Sequence, residues 1–175
     1  LAFAHEDRGA LTKATKKGKD YVLSGAKKLA LGAPMAGTLL VSAALGAGTG
    51  VFVVPADARG LVVRPYRTVE GARAADIDLT EVSVPSSALL GGHENASAAI
   101  DEVIDRAIAA LSADAVGAIA TMVKATVEYT KTRVQFGQPI AKFQALQHRM
   151  VDMKVKEEEA RASCLFATLS LDAPP

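Results

Sequence analysis

The run Arg133-Val134-Gln135-Phe136-Gly137-Gln138-Pro139-Ile140-Ala141-Lys142-Phe143-Gln144-Ala145-Leu146-Gln147 gathers groups suited to a planar, phosphate-bearing ligand. Arg133 carries a flat donor fork that matches a pair of phosphate oxygens. Phe136 and Phe143 offer ring faces, while Gln135, Gln144 and Gln147 donate and accept at the edges of a flat heterocycle. A plainer arrangement is a helix end, a Gly-Pro corner and a second helix. It accounts for Gly137 and Pro139 but not for the arginine, the rings and the glutamines. On residue chemistry alone, cofactor binding and a bare corner both stay open.

Other candidates carry less. His5, His93 and His148 are scattered without metal-ligand spacing and have no acidic cluster beside them, so polar contacts are expected rather than zinc. Cys164 is the only cysteine, which excludes an intrachain disulfide and fits a reducing compartment. On an amphipathic helix it reads as a packing residue. The cluster Gly46-Ala47-Gly48-Thr49-Gly50 leads into the apolar run Val51-Phe52-Val53-Val54 and not into a helix. A hairpin turn is therefore expected there, not a dinucleotide loop.

The 175 residues carry a net charge of +1, with 50% hydrophobic and 22% charged residues. That composition fits a globular chain with a real core and provides no field for nucleic acid or an anionic membrane. Asp114 and Lys124 interrupt the longest apolar stretches, so no bilayer span is expected. The opening Leu1-Ala2-Phe3-Ala4-His5-Glu6-Asp7-Arg8 lacks signal-peptide order and an initiator methionine, and reads as part of something longer.

Two periods position these residues. Tyr21–Ser24, Thr38–Ser42, Val51–Val54, Leu61–Val63 and the alternating Ala75–Val84 read as strands separated by turn chemistry. No helical segment lies between them, so an antiparallel barrel or sandwich is expected. After Pro85, a helical period runs through Ile100, Val103, Ile104, Ala107, Ile108 and Leu111, then Val116, Ile119, Val123 and Val127. Asn95 or Ser97 is the expected cap. Unbroken to Lys131, such a helix is about 50 Å long at about 1.5 Å per residue. A second helix puts Phe143, Leu146, Met150 and Met153 on one face, with Lys154, Lys156, Glu157 and Glu158 outside.

The stretch from Glu128-Tyr129-Thr130-Lys131-Thr132-Arg133 to Asp152-Met153 resembles the hallmark of the acyl-CoA dehydrogenase family. That hallmark is Arg, any residue, Gln-Phe-Gly, any residue, Pro-Ile, then Phe-Gln and Ala-Asp-Met, with Val151 here in the alanine position. Gly18-Lys19-Asp20-Tyr21-Val22-Leu23-Ser24-Gly25-Ala26-Lys27-Lys28 is similar to the strand pair opening the family's middle β-domain, and Gly91-Gly92-His93-Glu94-Asn95 to its exit. The resemblance implies an α+β multidomain chain. Residues 1–90 would be the middle antiparallel β-barrel, and 91–175 the first helices of an all-α bundle. The N-terminal helical domain and the end of the bundle would fall outside this chain.

The resemblance also implies FAD, held between β-domain and bundle, with a neighbouring subunit supplying the arginine loop. By position Arg133, Gln135, Phe136, Phe143 and Gln144 would carry that contact. The implied reaction is α,β-dehydrogenation of an acyl-CoA thioester, in which a carboxylate takes the α-proton while hydride passes to flavin N5. The usual glutamate base would lie outside this chain, and Asp105 is a weak substitute on the first helix. Electron-transfer flavoprotein is the implied electron acceptor and a dimer or tetramer, homo- or hetero-oligomeric, the implied assembly. The implied compartment is bacterial cytoplasm, or otherwise mitochondrial matrix. Two departures stand out. Leu29-Ala30-Leu31 replaces a Trp-Ile-Thr-like triplet that lies against the flavin, as in divergent dicarboxylyl-CoA members akin to the small subunit of pimeloyl-CoA dehydrogenase. The segment His5-Glu6-Asp7-Arg8-Gly9 reaches Thr12 sooner than the family's Thr-Glu-Pro-Gly loop would. The competing expectation is a non-catalytic partner subunit that keeps the scaffold and the arginine.

Overall fold

A computed structural model describes residues 1–7, 9, 11–92 and 94–171, and the chain forms two compact units that divide after Ile100. The first contains seven strands: β1 (Ala2–Ala4), β2 (Lys13–Lys17), β3 (Asp20–Leu31), β4 (Thr38–Leu45), β5 (Gly48–Pro55), β6 (Leu61–Arg67) and β7 (Arg73–Pro85). Strand β4 pairs with β5 on one side and with β1 and β2 on the other, and β2, β3, β7 and β6 follow in that order.

Alternation makes these segments strands, and breaks in alternation curl them. On β7 the buried positions Ala75, Ile77 and Leu79 give way to Val82 and Val84. The parity switch sits at Glu81, whose φ of 50° inserts a bulge-like kink. On β3 the register against β7 slips between Lys27 and Ala30, and Leu29 there has φ 53°. Leu23, Leu39, Val41, Phe52, Val54, Ile77 and Val82, all fully buried, fill the resulting concave face. Each contributes roughly 1.5–3 kcal/mol by leaving water.

Turn chemistry behaves as expected at Gly46-Ala47, which joins β4 to β5 with Leu45 opposite Gly48. The sheet is antiparallel as expected at β2–β3, β3–β7, β4–β5 and β6–β7, and it adds two parallel contacts. β1 runs parallel to β4 (Ala2 opposite Leu39), and β2 meets β4 in the same sense at Lys13 and Ala44. The three residues of β1 are too few to show a period. β6 forms an edge and carries Pro65.

The segment after β7 is tied back to β5. Phe52 bridges to Leu89, and the Ala96 N–H donates to the Thr49 carbonyl at 2.7 Å. Helix α1 (Ser97–Thr132) follows, 36 residues and about 54 Å at about 1.5 Å per residue. Asn95 Oδ1 accepts from the Ser97 N–H at 3.1 Å and from its hydroxyl at 2.8 Å, which caps the first turn.

Two expectations change in the helices. By length and composition alone α1 is apolar enough to cross a bilayer, Asp114 and Lys124 notwithstanding. Such apolarity is equally that of a helix buried in a bundle. Glu157 on α2 (Gln144–Ser170) is 4% exposed rather than outside. Positions 146, 150, 153, 157, 160 and 164 follow a seven-residue rhythm, and Glu157 falls on that inner stripe. Lys154 at 3.0 Å and Arg161 at 3.1 Å roof its carboxylate. Thr130 Oγ1 meets Met150 Sδ at 3.3 Å. Ile119, Met122 and Val123 face Arg149, Asp152, Met153 and Lys156 across a groove, so α1 and α2 run antiparallel.

Candidate functional site

Helix α1 ends where the chain must turn sharply. The Arg133 N–H still reaches the Tyr129 carbonyl at 2.9 Å, and the Arg133 carbonyl accepts from the Ile140 N–H at 2.9 Å. Between them stands a two-residue hairpin, β8 (Val134–Gln135) against β9 (Gln138–Pro139). Its corner residues, Phe136 and Gly137, have φ of 51° and 76°, as a type I′ turn requires. Glycine adopts that conformation freely, whereas phenylalanine does so at a cost of roughly 1–2 kcal/mol.

The strained residue is also the one thrust outward. Phe136 is 92% exposed, and its ring stands edge-on to Phe143 at 6.1 Å between centroids and 84° between planes. Phe143 precedes α2, and Gln144, the first residue of that helix, is exposed. Arg133 is exposed as well, and among the described residues its guanidinium makes no ion pair and donates to no carbonyl of the last helical turn. Gln135 is exposed opposite Gln138. The structure thus brings Arg133, Gln135, Phe136, Phe143 and Gln144 together around one corner. Gln147 is committed elsewhere, donating to the Ala141 carbonyl at 2.9 Å. Asp105 is exposed on the shaft of α1.

The β-unit holds two constellations that sequence reading missed. Lys27 is 1% exposed, and its ammonium donates to Asp7 Oδ1 at 2.8 Å, the His5 carbonyl at 2.8 Å and Ser42 Oγ at 3.2 Å. Asp7 Oδ1 also accepts from the Thr12 N–H at 2.9 Å and hydroxyl at 2.6 Å, closing the short loop whose length stood out in the sequence. His5 stacks on Phe3 and meets Ser42 Oγ through Nδ1 at 2.9 Å, a polar contact as expected. Arg8 and His93 lie outside the described residues. A signal for Lys27 was available: Tyr21, Leu23, Gly25 and Lys27 share one parity of β3, so the lysine points inward with the tyrosine and leucine.

The second constellation surrounds the β3 bulge. The Leu29 N–H donates to Tyr66 Oη at 3.2 Å, and Tyr66 Oη donates to Asp76 Oδ1 at 3.1 Å. Tyr66 also borders a cleft of about 240 Å³ with Pro34, Pro65, Arg67 and Arg73. No group of His, Cys, Asp or Glu able to hold a metal ion occurs among the described residues.

Comparison with known proteins settles the ancestry of this arrangement. Residues 6–84 match the acyl-CoA dehydrogenase middle domain, and residues 97–174 match the acyl-CoA dehydrogenase C-terminal domain. The chain belongs to the acyl-CoA dehydrogenase family. The probable acyl-CoA dehydrogenase YngJ of Bacillus subtilis (strain 168) is 34% identical over 168 residues, covering 91% of this chain and 44% of that protein. A glutaryl-CoA dehydrogenase crystal structure from Mycobacterium smegmatis superposes with a TM-score of 0.89 at 24% identity, covering 97% of this chain and 46% of that one, a likeness of fold. A second structure of a glutaryl-CoA dehydrogenase from that organism, in complex with FADH2, gives a TM-score of 0.85 at 25% identity, covering 95% and 45%. This acyl-CoA dehydrogenase chain therefore spans less than half the length of these relatives.

Proposed function

We propose that this chain is the middle and early C-terminal portion of an FAD-dependent enzyme that oxidises an acyl-CoA thioester to its α,β-unsaturated product. Residues 1–90 are then the middle β-domain and 91–175 the first helices of the C-terminal bundle. The observation that carries the reading is the α1–α2 corner, where Phe136 is 92% exposed in a strained conformation beside an arginine that has no ion-pair partner among the described residues. Strain of that kind persists where a function selects it.

The residues present fit the cofactor's chemistry. Arg133 offers a two-pronged donor to a pyrophosphate, Phe136 and Phe143 offer an apolar wall, and Gln135 and Gln144 stand at the rim as amide donors and acceptors. When bound, FAD supplies the hydride acceptor for the substrate β-carbon. Arg133 would hold the phosphate end, and the aromatic pair would shield it from water. Asp105 has no such setting on its exposed helix position, so we assign it no role in moving a proton.

We further infer an oligomer that passes electrons to an electron-transfer flavoprotein in the cytoplasm. Ile104, Ile108 and Leu111 are 37%, 54% and 69% exposed, an apolar stripe of the kind that further bundle helices or a partner subunit cover. The test is the visible absorbance of the purified protein with an FAD titration. Flavin bands with saturable binding support the reading, and a colourless protein that takes up no FAD defeats it.

A further inference from the structure

Leu29 and Leu31 occupy positions where an aromatic ring and a hydroxyl are expected against the flavin, and both are open, at 51% and 58% exposed. The surface around them is not featureless. Leu31 on β3 stands opposite Ala74 on β7, and Ala74 stands opposite Tyr66 on β6. Directly paired residues of neighbouring strands share a face, so Leu31, Ala74 and Tyr66 form one row across the sheet. Asp76 lies on the same face, two residues along β7.

Tyr66 is held at its tip and open along its body. Its hydroxyl donates to Asp76 at 3.1 Å and accepts the Leu29 N–H at 3.2 Å, while the residue remains 40% exposed. Burial of the hydroxyl and the neighbouring Asp76 carboxylate both push its pKa up, so it stays a neutral phenol. The two hydrogen bonds fix the ring beside a bulge whose central residue, Leu29, has φ 53°. A ring tethered in this way is a partly preorganised platform for a flat ligand, because less side-chain freedom remains to be lost on binding.

We propose that Tyr66 is the aromatic wall of the flavin-ring site in this chain, replacing from β6 the ring that is absent at Leu29. This rests on the FAD reading above and adds a residue to it. The wall needs only the ring, and the hydroxyl acts as its tether.

The experiment compares the flavin-loaded full chain with Tyr66→Phe, Tyr66→Leu and the double variant Leu29→Trp/Tyr66→Leu. It reads FAD dissociation constant, bound-flavin fluorescence and apo melting temperature. Aromatic stacking predicts that Tyr66→Leu weakens FAD about 3- to 10-fold and raises flavin fluorescence. Tyr66→Phe keeps the quenching and stays within about twofold of the parent, since the ring remains. Leu29→Trp restores quenching in the Tyr66→Leu background. If Tyr66→Leu leaves fluorescence and affinity unchanged in a protein that binds FAD, the proposal is overturned while the FAD reading stands. Equal melting losses for the Phe and Leu variants with unaltered flavin signals reduce Tyr66 to a clamp on the bulge, which also overturns it. A parent protein that binds no flavin removes both.

Discussion

The Lys27 ammonium lies 2.8 Å from the Asp7 carboxylate, with the lysine 1% exposed and the aspartate 20% exposed. Burial pulls the Lys27 pKa below its usual value despite the aspartate. Burial also pushes Asp7 up, but hydrogen bonds from Lys27 and Thr12 outweigh it, and the carboxyl ends below its ordinary value. The pair fastens the loop after β1 to the inner side of β3.

Lys27→Met is expected to destabilise the β-unit by about 1–3 kcal/mol, since Asp7 keeps solvent contact and its Thr12 hydrogen bonds while the His5 carbonyl and Ser42 lose a donor. Asp7→Asn/Lys27→Met should lose clearly less than the two single losses added together, because the groups are coupled. Urea unfolding of the three variants measures this. Strict additivity would show that the contact contributes nothing.

The pair also gives stability a pH dependence of known sign. Asp7 titrates below 3.8 when folded, so its contribution is complete above that value and disappears as pH falls through the folded pKa. Lys27 titrates below 10.5 when folded, so the unfolded chain binds its proton more tightly and stability rises as pH climbs toward that value. Melting temperature followed from about pH 6 down to about pH 2 should fall, and Asp7→Asn should flatten that fall. An unchanged slope in Asp7→Asn would remove Asp7 as its cause.

Gly25 faces the same loop. A Cβ there would sit 2.6 Å from both Thr12 Cα and Thr12 Oγ1, and the residue has φ of 150°. Gly25→Ala should cost about 1–3 kcal/mol through overpacking. Thermal melting checks it, and a wild-type midpoint would mean that the loop yields freely.

At the α1–α2 corner, Arg133→Ala should weaken FAD binding roughly ten- to a hundredfold, the loss of a charge-assisted bond of about 1.5–3 kcal/mol. Arg133→Lys should recover only part, since it keeps the charge and loses the fork. Phe136→Ala should weaken FAD yet leave the apo melting temperature nearly unaltered, because the ring is 92% exposed. Equal melting losses with and without FAD, at an unchanged dissociation constant, would leave Arg133 a helix-end residue only.

The corner was legible because its residues lie close together in the chain and Gly137 and Pro139 mark the break between helices. The change from strands to helix was legible from the switch of period after Pro85. The cluster around Tyr66 was not: Leu29 and Asp76 are 47 residues apart, and they meet only through the β3–β7 register and the bulge that shifts it. Glu157 was misplaced for a related reason. Its charge argues for solvent, and only the rhythm from Leu146 through Met153 to Cys164 turns it inward.

Pro65 has a consequence for the open side of the β-unit. A sheet that ends on β6 offers a free backbone edge to any extended chain that comes near. Proline has no amide hydrogen, so a strand docking there would meet a gap in the ladder midway along β6. Strand addition along β6 is therefore disfavoured at that rung of the ladder.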